Sequence, residues 1–336
     1  MAKNVTMKDI AAVMGVSTMT VSKALSDKEG VSDRVREQIK EKAAQMGYRY
    51  NSMAKGMKEG VSYNIGVLVA ERYFDDNAFY NNLYTKIVME LSRISYSVIL
   101  EILPAEDEKS LHLPNCLTNS KIDGLIIMGQ LNSKYIKKLK EEEVPHIFLD
   151  FYDEELMEDA VVSDSIYGAY LLTNYLIENG HKKIGYIGSI HATSSILDRY
   201  LGYYKAVLER RLEYRPEWVI EDRGEDGYFI DLVLPKEMPS AFVCNCDEIA
   251  YQLVEKLKKS GYRVPEDVSV VGFDDYIFAT LCNPPLTTFR VNLEEMAKEI
   301  VDSMSRKLKD DNYQNNRKVI SGNLVVRESV RNIANG

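Results

Sequence analysis

The chain has 336 residues, 45% of them hydrophobic and 28% charged, with a formal net charge of −9 at pH 7. That length suits two or three domains. The mean hydropathy is −0.26, no run approaches the ~18 apolar residues of a membrane helix, and the start carries no apolar signal region, so a cytoplasmic protein is expected. Four scattered cysteines, Cys116, Cys244, Cys246 and Cys282, argue against a disulfide framework. The acidic total conceals a split: residues 1–60 hold eleven Lys/Arg against seven Asp/Glu, hence +4, which leaves −13 on the rest. A basic head on an acidic body suits contact with a polyanion. Small helical segments are often Lys-rich, so charge alone does not decide it.

Residues 6–48 read as three short helices. Thr6 caps the first, Asp9 three residues on completes a capping box, and Gly15 ends the helix. Ser17 caps a second helix over residues 18–25 after a turn of three residues. Ser32 caps a third, in which Val35, Ile39, Ala43 and Met46 recur at helical spacing and Gly47 closes the end. Two helices joined by a short, Gly-containing turn make a helix-turn-helix. Roughly 45 residues is little core for an independent domain, so the unit is expected to lean on the rest of the chain or on its target. A head over residues 1–49 is therefore predicted. Residues 50–62, with two glycines and no apolar periodicity, read as a conditionally helical linker.

From residue 63 onward strands alternate with helices. Strands are predicted over 64–70, 96–103, 122–128 and 146–150, with helices over 79–93 and 133–142. A second series has strands over 160–163, 183–188, 241–244 and 268–272, with helices over 167–179, 195–210 and 248–260. A strand over 286–289, a helix over 293–309 and short strands near 319–320 and 324–326 complete the pattern. Near-continuous Val/Ile/Leu strands, each followed by a helix, imply buried parallel sheets covered on both faces. Two such series imply two similar subdomains, about 63–162 plus 290–322 and about 163–289 plus 323–336.

The wording is more specific than the pattern. TMKDIAAVMGVSTMTVSKAL, then VS-x-x-V-R, MGY and NSMAKGMK cover residues 5–60 in order and resemble the N-terminus of the LacI/GalR family of bacterial transcription regulators. The segments NYLIENGHKKIGYIG, RYLGYYKAV, NCDEIAYQ, VPEDVSVVGFDD, PPLTTFRVN and LVVRESV extend the resemblance almost to the C-terminus. The resemblance implies an α/β fold: a helix-turn-helix head and hinge, then a type I periplasmic-binding-protein-like core of two doubly wound sheets. Ligand would lie in the cleft at the strands' carboxyl ends. It also implies a repressor that binds a near-palindromic operator as a homodimer and loses affinity when a small carbohydrate, a disaccharide included, binds the cleft. No leucine-heptad tail follows Val330, so no tetramer is expected. A corepressor-activated or phosphocarrier-assisted regulator is the alternative, and a sugar-binding protein without a regulatory role is the alternative from another class.

Residue by residue, the resemblance places Thr18 and Met19 at the two main specificity positions of the groove-reading helix. Lys23 stands where arginine is usual, which loses the bidentate fork for guanine. The competing reading packs Met19 inside the head. Thr6, Ser17, Ser22 and Ser32 have the right types for phosphate contacts. In the hinge motif P-N-x-x-A-R-x-L, Asn51 and Ala54 match, while Tyr50, Lys55 and Met57 replace proline, arginine and leucine. Methionine can still wedge between base steps, and Gly56 lowers helix propensity by about 1 kcal/mol. In the cleft, Arg199 matches the family arginine that grips effector oxygens, Asp150 and Asp274 match acceptors at strand ends, and Asp247 matches the aspartate of an Asn-Asp pair whose asparagine is here Cys246. Tyr73, Phe74, Phe79, Tyr80, Tyr228 and Phe229 offer aromatic faces, about half of which are expected to reach ligand. A capping role competes for Asp274.

Other chemistries fit poorly. Cys244-x-Cys246 has no second pair and no nearby histidine, so no metal is expected, and no cofactor either. His112, His146, His181 and His191 lie far apart, and His181 is expected to cap carbonyls behind Gly180. No G-x-S-x-G elbow or Walker-type loop is present, so no enzyme is expected.

Overall fold

A computed structural model describes residues 5–48, 60–74, 78–310, 312–314 and 316–334. The chain divides into two compact units, a head up to residue 62 and a body from residue 63. In the head, α1 spans Met7–Met14, α2 Thr18–Leu25 and α3 Asp33–Gln45. The capping box forms as expected: the Thr6 hydroxyl accepts from the Asp9 amide at 3.4 Å, and the Asp9 carboxylate accepts from the Thr6 amide at 2.8 Å. Gly15 ends α1 at φ +64, a left-handed conformation that strains other residues. Ser17 accepts from the Thr20 amide at 3.0 Å. Ser32 differs from its expectation: it occupies the cap position of α3, but its hydroxyl makes no capping bond. Ile10, Val21, Ala24 and Ile39 are wholly buried, and Val35 and Met46 pack against that core.

The body holds two six-stranded sheets. The first runs β11-β5-β4-β3-β1-β2, where β1 is Asn64–Ala70, β2 Ser97–Leu103, β3 Gly124–Met128, β4 His146–Leu149, β5 Ala160–Ser163 and β11 Arg317–Ile320. The second runs β12-β10-β9-β8-β6-β7, where β6 is Ile184–Ile187, β7 Val219–Ile220, β8 Ala241–Cys244, β9 Ser269–Asp274, β10 Thr287–Arg290 and β12 Asn323–Val325. All pairings are parallel except β10 with β12. The two orders superimpose term by term, so β4 in the first sheet and β9 in the second hold equivalent places. β3, β5, β6 and β8 are buried at every residue, as strands covered on both faces must be. β2, at a sheet edge, is mostly half-exposed.

Helix Ala78–Arg93 packs against Leu293–Lys307, and Ser165–Glu178 against Ser194–Glu209. The second pair is close because Gly202 has no side chain: a Cβ there would stand 2.1 Å from the Ile166 carbonyl oxygen. Gly202→Ala is therefore expected to force the two helices apart and cost about 1–3 kcal/mol. A urea melt of the body should show a lower midpoint at unchanged slope.

The predicted long elements agree with the observed ones to within a few residues. The helices Glu71–Phe74, Ala105–Ser110, Asn115–Thr118 and Ile277–Leu281 were not expected, since one or two turns are too short to show a period. His181 differs in part. Its amide does cap the Leu176 carbonyl of the preceding helix at 3.1 Å, but its imidazole bonds Ser240 at 2.9 Å and the Arg331 carbonyl at 3.1 Å, tying distant segments.

Candidate functional site

In the head, α2 presents its first turn outward. Met19 is 70% exposed, which removes the reading that packs it inside, and Thr18 and Ser22 beside it are exposed too. Lys23 is half-buried. The hydroxyls of Thr6 and Ser17 are engaged in capping bonds yet lie at the surface, where a second partner can reach them. Asn51, Ala54, Lys55 and Met57 lie outside the described residues.

In the body, the segments that follow β1, β4, β6, β7, β8 and β9 meet around one cavity at the carboxyl ends of both sheets. This is where ligands bind doubly wound sheets. Asp150 closes β4 and Asp274 ends β9, so equivalent strands of the two sheets each deliver one carboxylate. Both residues have positive φ, +66 and +108, a conformation that costs a non-glycine residue about 1–3 kcal/mol and clusters at functional sites. Asp150 is 4% exposed. Its Oδ2 accepts from the Tyr80 hydroxyl at 2.8 Å. Among the described residues nothing donates to its Oδ1, nor to the Oδ1 of Asp274.

Arg199 projects from helix Ser194–Glu209 between them. Its Nη1 donates to the Asn245 carbonyl at 2.6 Å, its plane lies 4.0 Å over the Phe273 ring, and its Nη2 stands 3.5 Å from Asp274 Oδ1. Burial disfavours the guanidinium charge, but Asp274 and Asp150 outweigh that and hold it protonated. Burial also raises the Asp150 carboxyl against the pull of Arg199. It pushes Asp274 up to about 7, with Arg199 and Arg223 opposing and the Asp150 charge reinforcing. The folded chain thus keeps the Asp274 proton to a higher pH than the unfolded chain, whose carboxyl titrates near 3.8. This group's contribution therefore turns unfavourable as pH rises between those values. Asp274→Asn is expected to gain stability relative to the native chain as pH rises from about 5 to about 8. Paired thermal melts at the two pH values check it.

Of the other expected residues, Tyr73, Phe79, Tyr80, Cys246 and Asp247 line this cavity. Asp247 has less to offer than expected, because Thr288 donates to one oxygen at 2.6 Å and the Tyr276 amide to the other at 2.8 Å. Cys246 occupies the N-cap position of helix Asp247–Lys259 without a side-chain capping bond; burial raises its thiol, which stays neutral. Phe74 turns away and packs edge-on to Tyr84 at 6.2 Å. Tyr228, 44% exposed, lines an adjoining groove with Arg72, while its neighbour Phe229 faces the cavity. Arg223 is a wall residue that the sequence did not reveal. It pairs with buried Asp222 at 3.1 Å and lies 4.8 Å over Phe229. The adjacent Asp222-Arg223 pair offered no signal, since such pairs are common on surfaces. The two lobes also touch beside the cavity, where the Ser194 amide donates to Gln130 at 2.7 Å and the Tyr152 hydroxyl to Asp198 at 2.9 Å.

A helix-turn-helix head and a two-sheet body with a polar, aromatic-walled cleft define the class of DNA-binding regulators with a sensor domain. Residues 6–51 match the bacterial regulatory proteins of the lacI family, and residues 173–330 match a periplasmic binding protein-like domain. The head is thus that of the lacI family of bacterial regulatory proteins, joined to a periplasmic binding protein-like body, and along its whole length the chain is similar to DNA-binding transcriptional repressors. It is 27% identical to the HTH-type transcriptional repressor PurR of Aliivibrio salmonicida (strain LFI1238), over 98% of this chain and 99% of that one. It is 28% identical to the ribose operon repressor of Haemophilus influenzae (strain ATCC 51907 / DSM 11121 / KW20 / Rd), over 97% and 98%. The fold matches the lac repressor dimer bound to operator and the anti-inducer ONPF with a TM-score of 0.79 and 22% identity, covering 98% of this chain and 100% of that one.

Proposed function

We propose that this regulator is a cytoplasmic homodimeric repressor whose grip on a near-palindromic operator is weakened by a small carbohydrate in the cleft. The observation that carries the ligand class is the cavity wall: buried acceptor oxygens on Asp150 and Asp274, a fixed guanidinium on Arg199, and aromatic faces on Tyr73, Phe79 and Phe229. Ring hydroxyls both donate and accept, and an apolar sugar face stacks on aromatic rings, so this wall complements a sugar. The name of the ribose operon repressor points the same way. In the head, Thr18, Met19 and Lys23 read bases, while Thr6, Ser17, Ser22 and Ser32 serve phosphates. Residues 50–62, with Asn51, Ala54, Lys55 and Met57, form the hinge between the head and the sensor body at 63–336.

Ligand and operator are coupled sites, so each changes the other's affinity by the same factor. Titrating labelled operator with the protein, with and without candidate sugars, tests this. Operator binding should fall steeply with salt, since phosphate contacts release counterions, and an inducing sugar should weaken it. A sugar that tightens operator binding would make the protein corepressor-activated. A full-length chain with no salt-dependent preference for any palindrome would refute the reading.

A further inference from the structure

Resting on the carbohydrate reading, we propose that the cavity is built for an amino sugar, a hydroxylated ring that carries one positive charge. The charges around the cavity do not balance. Arg223 is spent on Asp222. Asp247 takes both of its hydrogen bonds from within the fold. That leaves one guanidinium, Arg199, facing the buried carboxylates Asp150 and Asp274, with Glu248 also in the lining, and its Nη1 is already committed to the Asn245 carbonyl. Each carboxylate keeps one buried oxygen that accepts no hydrogen bond from a described residue; Asp150 Oδ1 is one, and Asp274 Oδ1, which has only the Arg199 Nη2 3.5 Å away, is the other. Buried acceptors without donors, and buried charge without a partner, are both costly, and Asp150 and Asp274 line the same cavity.

A neutral sugar supplies donors to these oxygens but leaves one carboxylate uncompensated. An ammonium group supplies donors and the missing charge together, and charge-assisted hydrogen bonds are the stronger kind. Phe79 and Tyr73 also line the cavity, and aromatic faces attract cations. A sugar phosphate or sugar acid would instead set another negative charge against Asp150 and Asp274.

The test uses the full chain in calorimetric titrations at neutral pH. Glucosamine, galactosamine and mannosamine are each compared with the parent hexose, the N-acetyl form and the 6-phosphate. One amine should bind about tenfold or more tighter than its parent and its N-acetyl form, and its 6-phosphate should not bind. Asp150→Asn and Asp274→Asn should each bring the amine-to-parent ratio toward unity. A parent hexose, N-acetyl sugar or phosphate that binds as tightly as its amine overturns the amino-sugar inference and leaves the carbohydrate reading standing. Failure of every hexose, whatever its charge, also overturns the amino-sugar inference, while the operator titrations with other sugars, pentoses and disaccharides among them, test the carbohydrate reading separately. The unmodified chain alone gives these outcomes, so they hold whether or not the variants fold.

Discussion

Arg199→Met should abolish the ligand response and destabilise the body by about 3–5 kcal/mol, the cost of stripping the partner from a buried ionic group. The residue is 5% exposed and is the one guanidinium between Asp150 and Asp274. Without it both carboxyls must hold protons at neutral pH or remain charged and unpaired. The loss should therefore shrink in acid, where protonation relieves the repulsion. Urea melts at about pH 5 and about pH 8 separate the two cases, the larger deficit appearing at the higher pH. Arg199→Lys should not rescue the site. An ammonium group keeps the charge but lacks the planar fork that bonds the Asn245 carbonyl while facing Asp274. A methionine variant that still shows full ligand-induced stabilisation would remove Arg199 from the binding role.

Ile39→Ala is expected to eliminate operator binding while leaving the body's ligand-induced thermal shift intact. Ile39 is wholly buried, with five other buried apolar residues among those described in the head. Truncating such a side chain costs about 2–5 kcal/mol, comparable with the whole stability available to a unit of roughly 45 residues. Calorimetry should show the head transition lost and the body transition unmoved, because each unit has its own core. Met19→Ala is the control. That side chain is 70% exposed, so its removal should alter stability by less than about 0.5 kcal/mol and change only base preference, as read by selection from random duplexes. If Ile39→Ala leaves operator affinity unchanged, the head is not the reading unit.

Much of this protein is written locally in its sequence. The Thr6–Asp9 box, the Gly15 stop and the buried runs of β3, β6 and β8 concern residues a few positions apart. A three-residue cap or an unbroken apolar run carries its own instruction, and the family motifs add the identity of the head and the sensor. Tertiary structure alone decided which side chains meet. Phe229 rather than Phe74 faces the cavity, although both sit in aromatic pairs. Asp247 turns inward because Thr288, 41 residues away, bonds it. Arg223 joins the wall held by Asp222 and lying over the Phe229 ring. Asp150 and Asp274 confront one arginine because two sheets with the same strand order bring equivalent strand ends together. Periodicity reports burial of a residue relative to its own helix or strand. The facing of a loop side chain, and the neutralisation of one charge by another, depend on contacts between residues far apart in sequence, and those are settled only when the sheets close on each other.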